Sequence, residues 1–278
     1  MTKLSLTLLP VALFALAACV PDEPEPAGIV IVNARVIDGS GGPSREVMVR
    51  IVGDRIVGVG KLEPSPADTV VDAGGLVLAP GFIDAHSHHA DGLFAMPGAL
   101  AAVNQGITTI VVGQDGGQQY PLAEFFANLD TQPVAINVAS FAGHGVLRGQ
   151  VMGEDYLRPA TPEELAAMAG LLRAEMEAGA LGLSTGLEYD PGSFSTTEEL
   201  VELAGVTASY GGRYISHIRS EDQHFWEAVD EVIRIGREAE IPVQVTHMKL
   251  AMTRWWGQAD RLVRILNEAR AAGVDITA

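Results

Sequence analysis

Residues 80–88 read Pro80-Gly81-Phe82-Ile83-Asp84-Ala85-His86-Ser87-His88. A short apolar run ends there in two histidines two residues apart. Side chains two apart on a strand share a face, so both imidazoles point the same way. A lone His-x-His is a weak signal, because polar strand ends are common. Its position in the chain says more. From Pro80 onward, short apolar strand candidates alternate with helical stretches, at residues 82–85, 107–112, 134–138, 181–184, 214–216, 243–246 and 274–277. Repeated βα units imply a parallel sheet. The fold class that follows is α/β, a (β/α)8 TIM-type barrel that is incomplete, with seven strands in residues 81–278. An open doubly wound sheet is the other arrangement of such units. It lacks support, since no glycine-rich phosphate loop follows the first strand.

The intervening helices carry their own signals. Thr161-Pro162-Glu163-Glu164 predicts a capping box with proline at the first helical position. Leu165, Met168, Leu172 and Met176 follow at helical spacing, and Gly179 ends the run. Thr196 and Glu199 repeat the capping logic, and Leu262, Ile265, Leu266 and Ala269 form a further stripe before Gly273.

Upstream, residues 29–80 are rich in β-branched runs, with Gly53-Asp54 as a hairpin signal. They predict a small β domain of sandwich type. Residues 19–28 are acidic and proline-rich, which predicts a tether. Residues 1–18 combine Lys3, an apolar run from Leu4 to Ala15 too short for a comfortable membrane span, and small residues just before Cys19. Leu16-Ala17-Ala18-Cys19 resembles a bacterial lipobox, so the segment reads as a lipoprotein signal peptide with lipid attached at Cys19. The expected location is the bacterial cell envelope, facing the periplasm or the outside, with a membrane anchor. Cys19 is the single cysteine of 278 residues, so the mature chain has no internal disulfide and no thiolate for a metal. The formal net charge of −17 argues against nucleic acid as a partner.

Chemistry concentrates at the strand ends. His217 closes Arg213-Tyr214-Ile215-Ser216-His217, and His247 closes Val243-Gln244-Val245-Thr246-His247. In a barrel, the carboxyl ends of the strands build the active site. Four of the seven histidines, His86, His88, His217 and His247, thus fall on one face. Neutral imidazole is the commonest protein ligand for zinc and similar ions. Asp115 follows the second strand in Gly113-Gln114-Asp115-Gly116. A carboxylate there is suited to bridge two ions, though Asp-Gly is also a turn dipeptide. Tyr189 and Lys249 lie in loops at the same face, where a phenol and an ammonium suit a carboxylate. His89 breaks the alternation and reads as a residue of the outer shell or the surface, and His224 as a helix-surface residue.

The stretch 80–88 resembles the first-strand motif of the amidohydrolase superfamily. Residues 106–116, Gly143-His144-Gly145-Val146-Leu147-Arg148, Ser184-Thr185-Gly186-Leu187-Glu188-Tyr189 and Ser216-His217-Ile218-Arg219-Ser220-Glu221 together resemble its D-aminoacylase branch, the N-acyl-D-amino-acid deacylases. The resemblance implies metal ligation by His86, His88, His217 and His247, with one or two divalent ions, zinc foremost. It implies substrate-carboxylate contacts from Tyr189 and Lys249, with His144 and Arg148 in a loop bordering the site. The expected reaction is hydrolysis of the linear amide of an N-acyl-D-amino acid, a small-molecule substrate. Cyclic-amide hydrolysis, isoaspartyl-type dipeptide cleavage and a truncated non-catalytic surface lipoprotein are the alternatives.

Two departures from the branch stand out. Asp115 occupies the place of a cysteine thiolate. The branch's general base, an aspartate at the end of an eighth strand, is expected beyond Ala278. The chain therefore carries no catalytic residue of that kind, and the intact order of its motifs favours a fragment of a longer reading frame.

Overall fold

The computed structural model describes residues 26–278. The signal segment 1–18, the lipid-attachment residue Cys19 and most of the tether lie outside the described residues. The chain divides into two compact units, one ending at Pro80 and the other spanning Gly81–Ala278.

The first unit contains β1 (Ile29–Val36), β2 (Arg45–Val52), β3 (Arg55–Gly60), β4 (Thr69–Asp72) and β5 (Val77–Leu78). They form one sheet in the order β3-β2-β1-β4, with β5 also on β1. The described residues thus supply one layer of the expected sandwich. Gly53-Asp54 is the two-residue turn between β2 and β3, with Gly53 at φ +59°. Ala34, Val36 and Val49 form its small buried core.

The second unit is built of parallel βα repeats. Its elements are β6 (Phe82–Asp84), α1 (Leu100–Val103), β7 (Ile107–Val112), α2 (Leu122–Thr131), β8 (Asn137–Ser140), β9 (Ala142–Gly143), α3 (His144–Met152), α4 (Pro162–Glu177), β10 (Gly182–Gly186), α5 (Thr197–Ser209), β11 (Arg213–His217), α6 (Phe225–Glu238), β12 (Val243–Val245), α7 (Ala259–Ala271) and β13 (Ile276–Thr277). β6-β7-β8 form one parallel sheet and β9 to β13 the other. Only Phe141 separates β8 from β9, so residues 137–143 act as one strand that pairs first with β7 and then with β10. That makes seven barrel strands in chain order. Among the described strands β6 and β13 each have a neighbour on one side only. Phe82 and Ile83 on β6 are accordingly exposed.

The third strand lies later than the predicted 134–138. Ala135 N–H donates to the Pro97 carbonyl at 2.7 Å and so is diverted from a ladder. Elsewhere, alternation places the strands. Tyr214 packs among the helices, whereas Ile215 joins Val111 and Phe141 in a separate cluster on the other face. His217, two residues on from Ile215, shares that second face.

α4 has the predicted capping box, with Thr161 accepting from Glu164 N–H and Glu164 accepting from Thr161 N–H. Met168, Leu172 and Met176 are buried on one stripe. Glu175, on the same helix, is also buried, and its Oε2 accepts from Leu122 N–H at 3.0 Å, capping the start of α2.

Candidate metal centre

His86 follows β6, Asp115 follows β7, His217 ends β11 and His247 follows β12. The parallel sheet therefore delivers all of them to its carboxyl end. His86 Nε2 and His88 Nε2 are 3.2 Å apart, and each is 3.2 Å from Asp115 Oδ2. Three donors at equal spacing form one face of a tetrahedron. Two nitrogens bound to one tetrahedral zinc stand roughly 3.3 Å apart, so the triangle has the dimensions a single ion requires. On the other side, His217 Nδ1 lies 3.1 Å from His247 Nε2. His247 Nε2 is in turn 3.8 Å from Asp115 Oδ1. That Oδ1 is buried and has no hydrogen-bond partner. A buried, unpaired carboxylate oxygen facing imidazole nitrogens is costly unless a cation meets it. The residues present therefore fit a pair of divalent ions sharing Asp115.

Electrostatics and backbone agree with this. Burial holds the His86 imidazole below its ordinary pKa, with His88 and His247 adding to the effect and Asp115 opposing it. The ring is thereby kept in the neutral, ligating form. Asp115 and His247 have left-handed backbone, at φ +55° and +32°. Such conformations in non-glycine residues cost on the order of 1–3 kcal/mol and gather at functional sites.

Two further groups close the rim. Tyr189 Oη donates to the Asp115 carbonyl at 3.0 Å. A Cβ at Gly186 would stand 2.4 Å from both partners of that bond, so glycine makes the room. Burial first, then the charges of Asp115, Glu188 and Glu221, push the Tyr189 phenol well above its usual range and keep it a donor. Lys249 Nζ binds Glu221 Oε2 at 2.6 Å with its side chain half exposed.

His144 and Arg148 are not brought to this cluster. Both are fully buried, with 0% of their surface exposed. Arg148 Nη1 donates to both Glu199 oxygens at 2.7 Å, and His144 Nε2 lies 2.8 Å from Glu199 Oε1. Arg148 Nη2 also donates to the carbonyls of Tyr156 and Arg158. His144 Nε2 and the Arg148 Nη atoms thus face Glu199 and a loop, while His144 Nδ1 and Arg148 Nε are buried without a hydrogen-bond partner. His89 is exposed and His224 sits at the start of α6, both outside the cluster.

Glu188 and Glu221 are the residues that strand-end reasoning passes over. Glu188 Oε2 is 3.0 Å from His217 Nε2, and Glu221 Oε1 is 2.6 Å from His247 Nδ1. Their signal was their place, since each follows a strand end inside one of the motifs quoted above.

Comparison with known proteins adds an independent line. The amidohydrolase family matches residues 69–276. The chain is 36% identical to a D-aminoacylase from Alcaligenes xylosoxydans over 90% of its own length and 56% of that protein's. It is 39% identical to an N-acyl-D-glutamate deacylase of the same organism, over 91% of this chain and again 56% of the relative. The chain thus spans little more than half of each. The crystal structure of an N-acyl-D-glutamate deacylase from Bordetella bronchiseptica, complexed with zinc and a phosphonate that mimics the tetrahedral intermediate, superposes with a TM-score of 0.87 at 35% identity. The superposition covers 91% of this chain and 58% of that one.

Proposed function

The chain belongs to the amidohydrolase family, and from that premise we propose that it is the metal-binding part of an enzyme that hydrolyses the amide bond of N-acyl-D-amino acids. One observation carries this reading: the triangle of His86 Nε2, His88 Nε2 and Asp115 Oδ2, 3.2 Å on each side, beside the His217–His247 pair. His86, His88 and Asp115 would hold one divalent ion, and Asp115, His217 and His247 a second. Zinc suits this imidazole-rich set. Such an ion supplies Lewis acidity, polarising an amide carbonyl and acidifying water.

The remaining residues bind and orient. Lys249 offers an ammonium to the substrate carboxylate, and Tyr189 offers a phenol that stays protonated. Both groups are partly exposed beside the cluster. The resemblance implies a general base as well, an aspartate at the end of an eighth strand, which is not among the residues of this cluster. General acid–base help of that kind is worth roughly 10²–10⁴-fold in rate. Lipid attachment at Cys19 holds the enzyme at the cell envelope, which the small residues before the cysteine support.

The test uses the protein from its complete coding sequence, supplied with zinc. It releases amino acid from N-acyl-D-amino acids and not from their L-enantiomers or β-aspartyl dipeptides, and it does not open hydantoins. His217→Ala and His247→Ala each abolish turnover and lower the bound zinc, whereas Lys249→Ala raises KM. Absence of bound metal, with both histidine variants behaving as the unsubstituted protein, overturns the reading. Expressed with its own signal, the protein partitions into detergent, and Cys19→Ser removes that behaviour; partition unchanged by the substitution refutes the anchor.

A further inference from the structure

Glu188 and Glu221 lie outside the ligand set, yet each grips one of its histidines. His217 turns Nδ1 toward His247 Nε2, 3.1 Å away, and turns Nε2 toward Glu188 Oε2 at 3.0 Å. His247 does the reverse, with Nε2 in the cluster and Nδ1 2.6 Å from Glu221 Oε1. A carboxylate can only accept, so the ring nitrogen facing each glutamate carries the proton. The other nitrogen then keeps its lone pair free for a cation. We infer that Glu188 and Glu221 are positioning residues that lock opposite tautomers, so that His217 presents Nδ1 and His247 presents Nε2 to a divalent ion.

A different use of the same atoms fails. Glu188, His217 and Glu221 bring three donor groups within 4.8 Å of one another, as a further ion site needs. Their oxygens are already engaged by N–H groups. Glu188 Oε1 accepts from Glu221 N–H at 3.1 Å, and Glu221 Oε2 accepts from Lys249 at 2.6 Å. With Oε2 of Glu188 and Oε1 of Glu221 on the imidazoles, all four oxygens have an N–H partner. Such a pattern orients ligands, with every one of the four carboxylate oxygens already engaged by a donor. It also makes glutamine a poor substitute at either position. Each glutamate faces two donors, so an amide NH2 must confront one of them: His217 Nε2 or Glu221 N–H at residue 188, His247 Nδ1 or Lys249 at residue 221.

The inference rests on the metal reading above, and the test separates the two. Zinc affinity is measured by competition with a chromophoric chelator, and the visible spectrum is recorded on cobalt-loaded protein. The melting temperature of the metal-free protein is taken alongside. Glu188→Gln and Glu221→Gln each weaken zinc binding by about 10- to 100-fold, the range seen for outer partners of ligating histidines. Both shift the cobalt spectrum, while the metal-free melting temperature follows that of the surface control Glu238→Gln. Zinc affinity and cobalt spectrum equal to the unsubstituted protein in both variants overturn the inference. No zinc binding by the unsubstituted protein overturns the metal reading instead. Where Glu221→Gln lowers metal-free stability, Glu188→Gln decides alone, because Glu188 is one-third exposed.

Discussion

Asp115 takes a left-handed backbone conformation at φ +55°, which aspartate tolerates better than most side chains because its short carboxylate can bond locally. That conformation turns Oδ2 to His86 and His88 and leaves Oδ1 on the side of His247. A thiolate at this position offers one atom to both ions, whereas a carboxylate offers two, and oxygen favours harder ions than sulfur does. Asp115→Asn removes the charge that offsets repulsion between two cations. Zinc counted by elemental analysis after gel filtration therefore falls from about two per chain to one or fewer, and retention of both ions by the variant refutes the shared-ligand role. At this scale the histidines were legible because strand alternation and strand ends are local patterns. The burial of His144 and Arg148 against Glu199 was not legible, for the opposite reason. Their partner Glu199 is 55 and 51 residues away in sequence, and nothing local tells a buried imidazole from one lining a pocket. Glu188 and Glu221 were missed because a glutamate beyond a strand end reads as a solvated rim residue until its neighbour is known.

Helix α4 shows how far a local signal reaches at the scale of elements. Thr161 and Glu164 cap its first turn, and Arg158, from the preceding loop, clasps both Glu164 oxygens at 2.8 Å. The Arg158 hydrogen bonds, then the Thr161 N–H, hold the Glu164 carboxyl down to about 2, from an ordinary 4.5. A carboxyl depressed in the folded state binds fewer protons there than in the unfolded chain, so stability rises with pH through this window. The contribution is complete above about 4.5 and is lost as pH falls toward 2. Glu164→Gln should thus melt below the unsubstituted protein near neutrality and close the gap progressively between those two values. A constant gap across the range argues against the clasp. Thr161→Ala, which removes the other half of the box, costs about 1 kcal/mol. The box, its proline and the stripe through Met168 and Leu172 were all readable, because a cap and a 3.6-residue period lie within one segment. The third strand was not, since its start depends on Pro97 capturing Ala135 N–H from a distant loop.

The whole chain carries a formal charge of −17, and its candidate site gathers three carboxylates, on Asp115, Glu188 and Glu221, with Lys249 bound to one of them. Self-repulsion of this kind opposes compactness, and a cation bound only by the folded state offsets it. Two different effects could follow from added zinc. General screening of an acidic surface depends on ionic strength and is indifferent to the identity of the cation. Capture by imidazole nitrogens distinguishes zinc from magnesium, which demands an octahedron of oxygens and gives up its water reluctantly. The four histidines at the strand ends predict the second. Zinc at about 100 times its dissociation constant stabilises the fold by about 2.7 kcal/mol, read as a rise in melting temperature that a chelator reverses. Magnesium at the same ionic strength gives little of that rise, and His86→Ala with His247→Ala removes most of it. Equal stabilisation by the two cations, or a zinc effect that survives loss of both histidines, assigns the gain to surface charge and takes it away from the strand-end cluster.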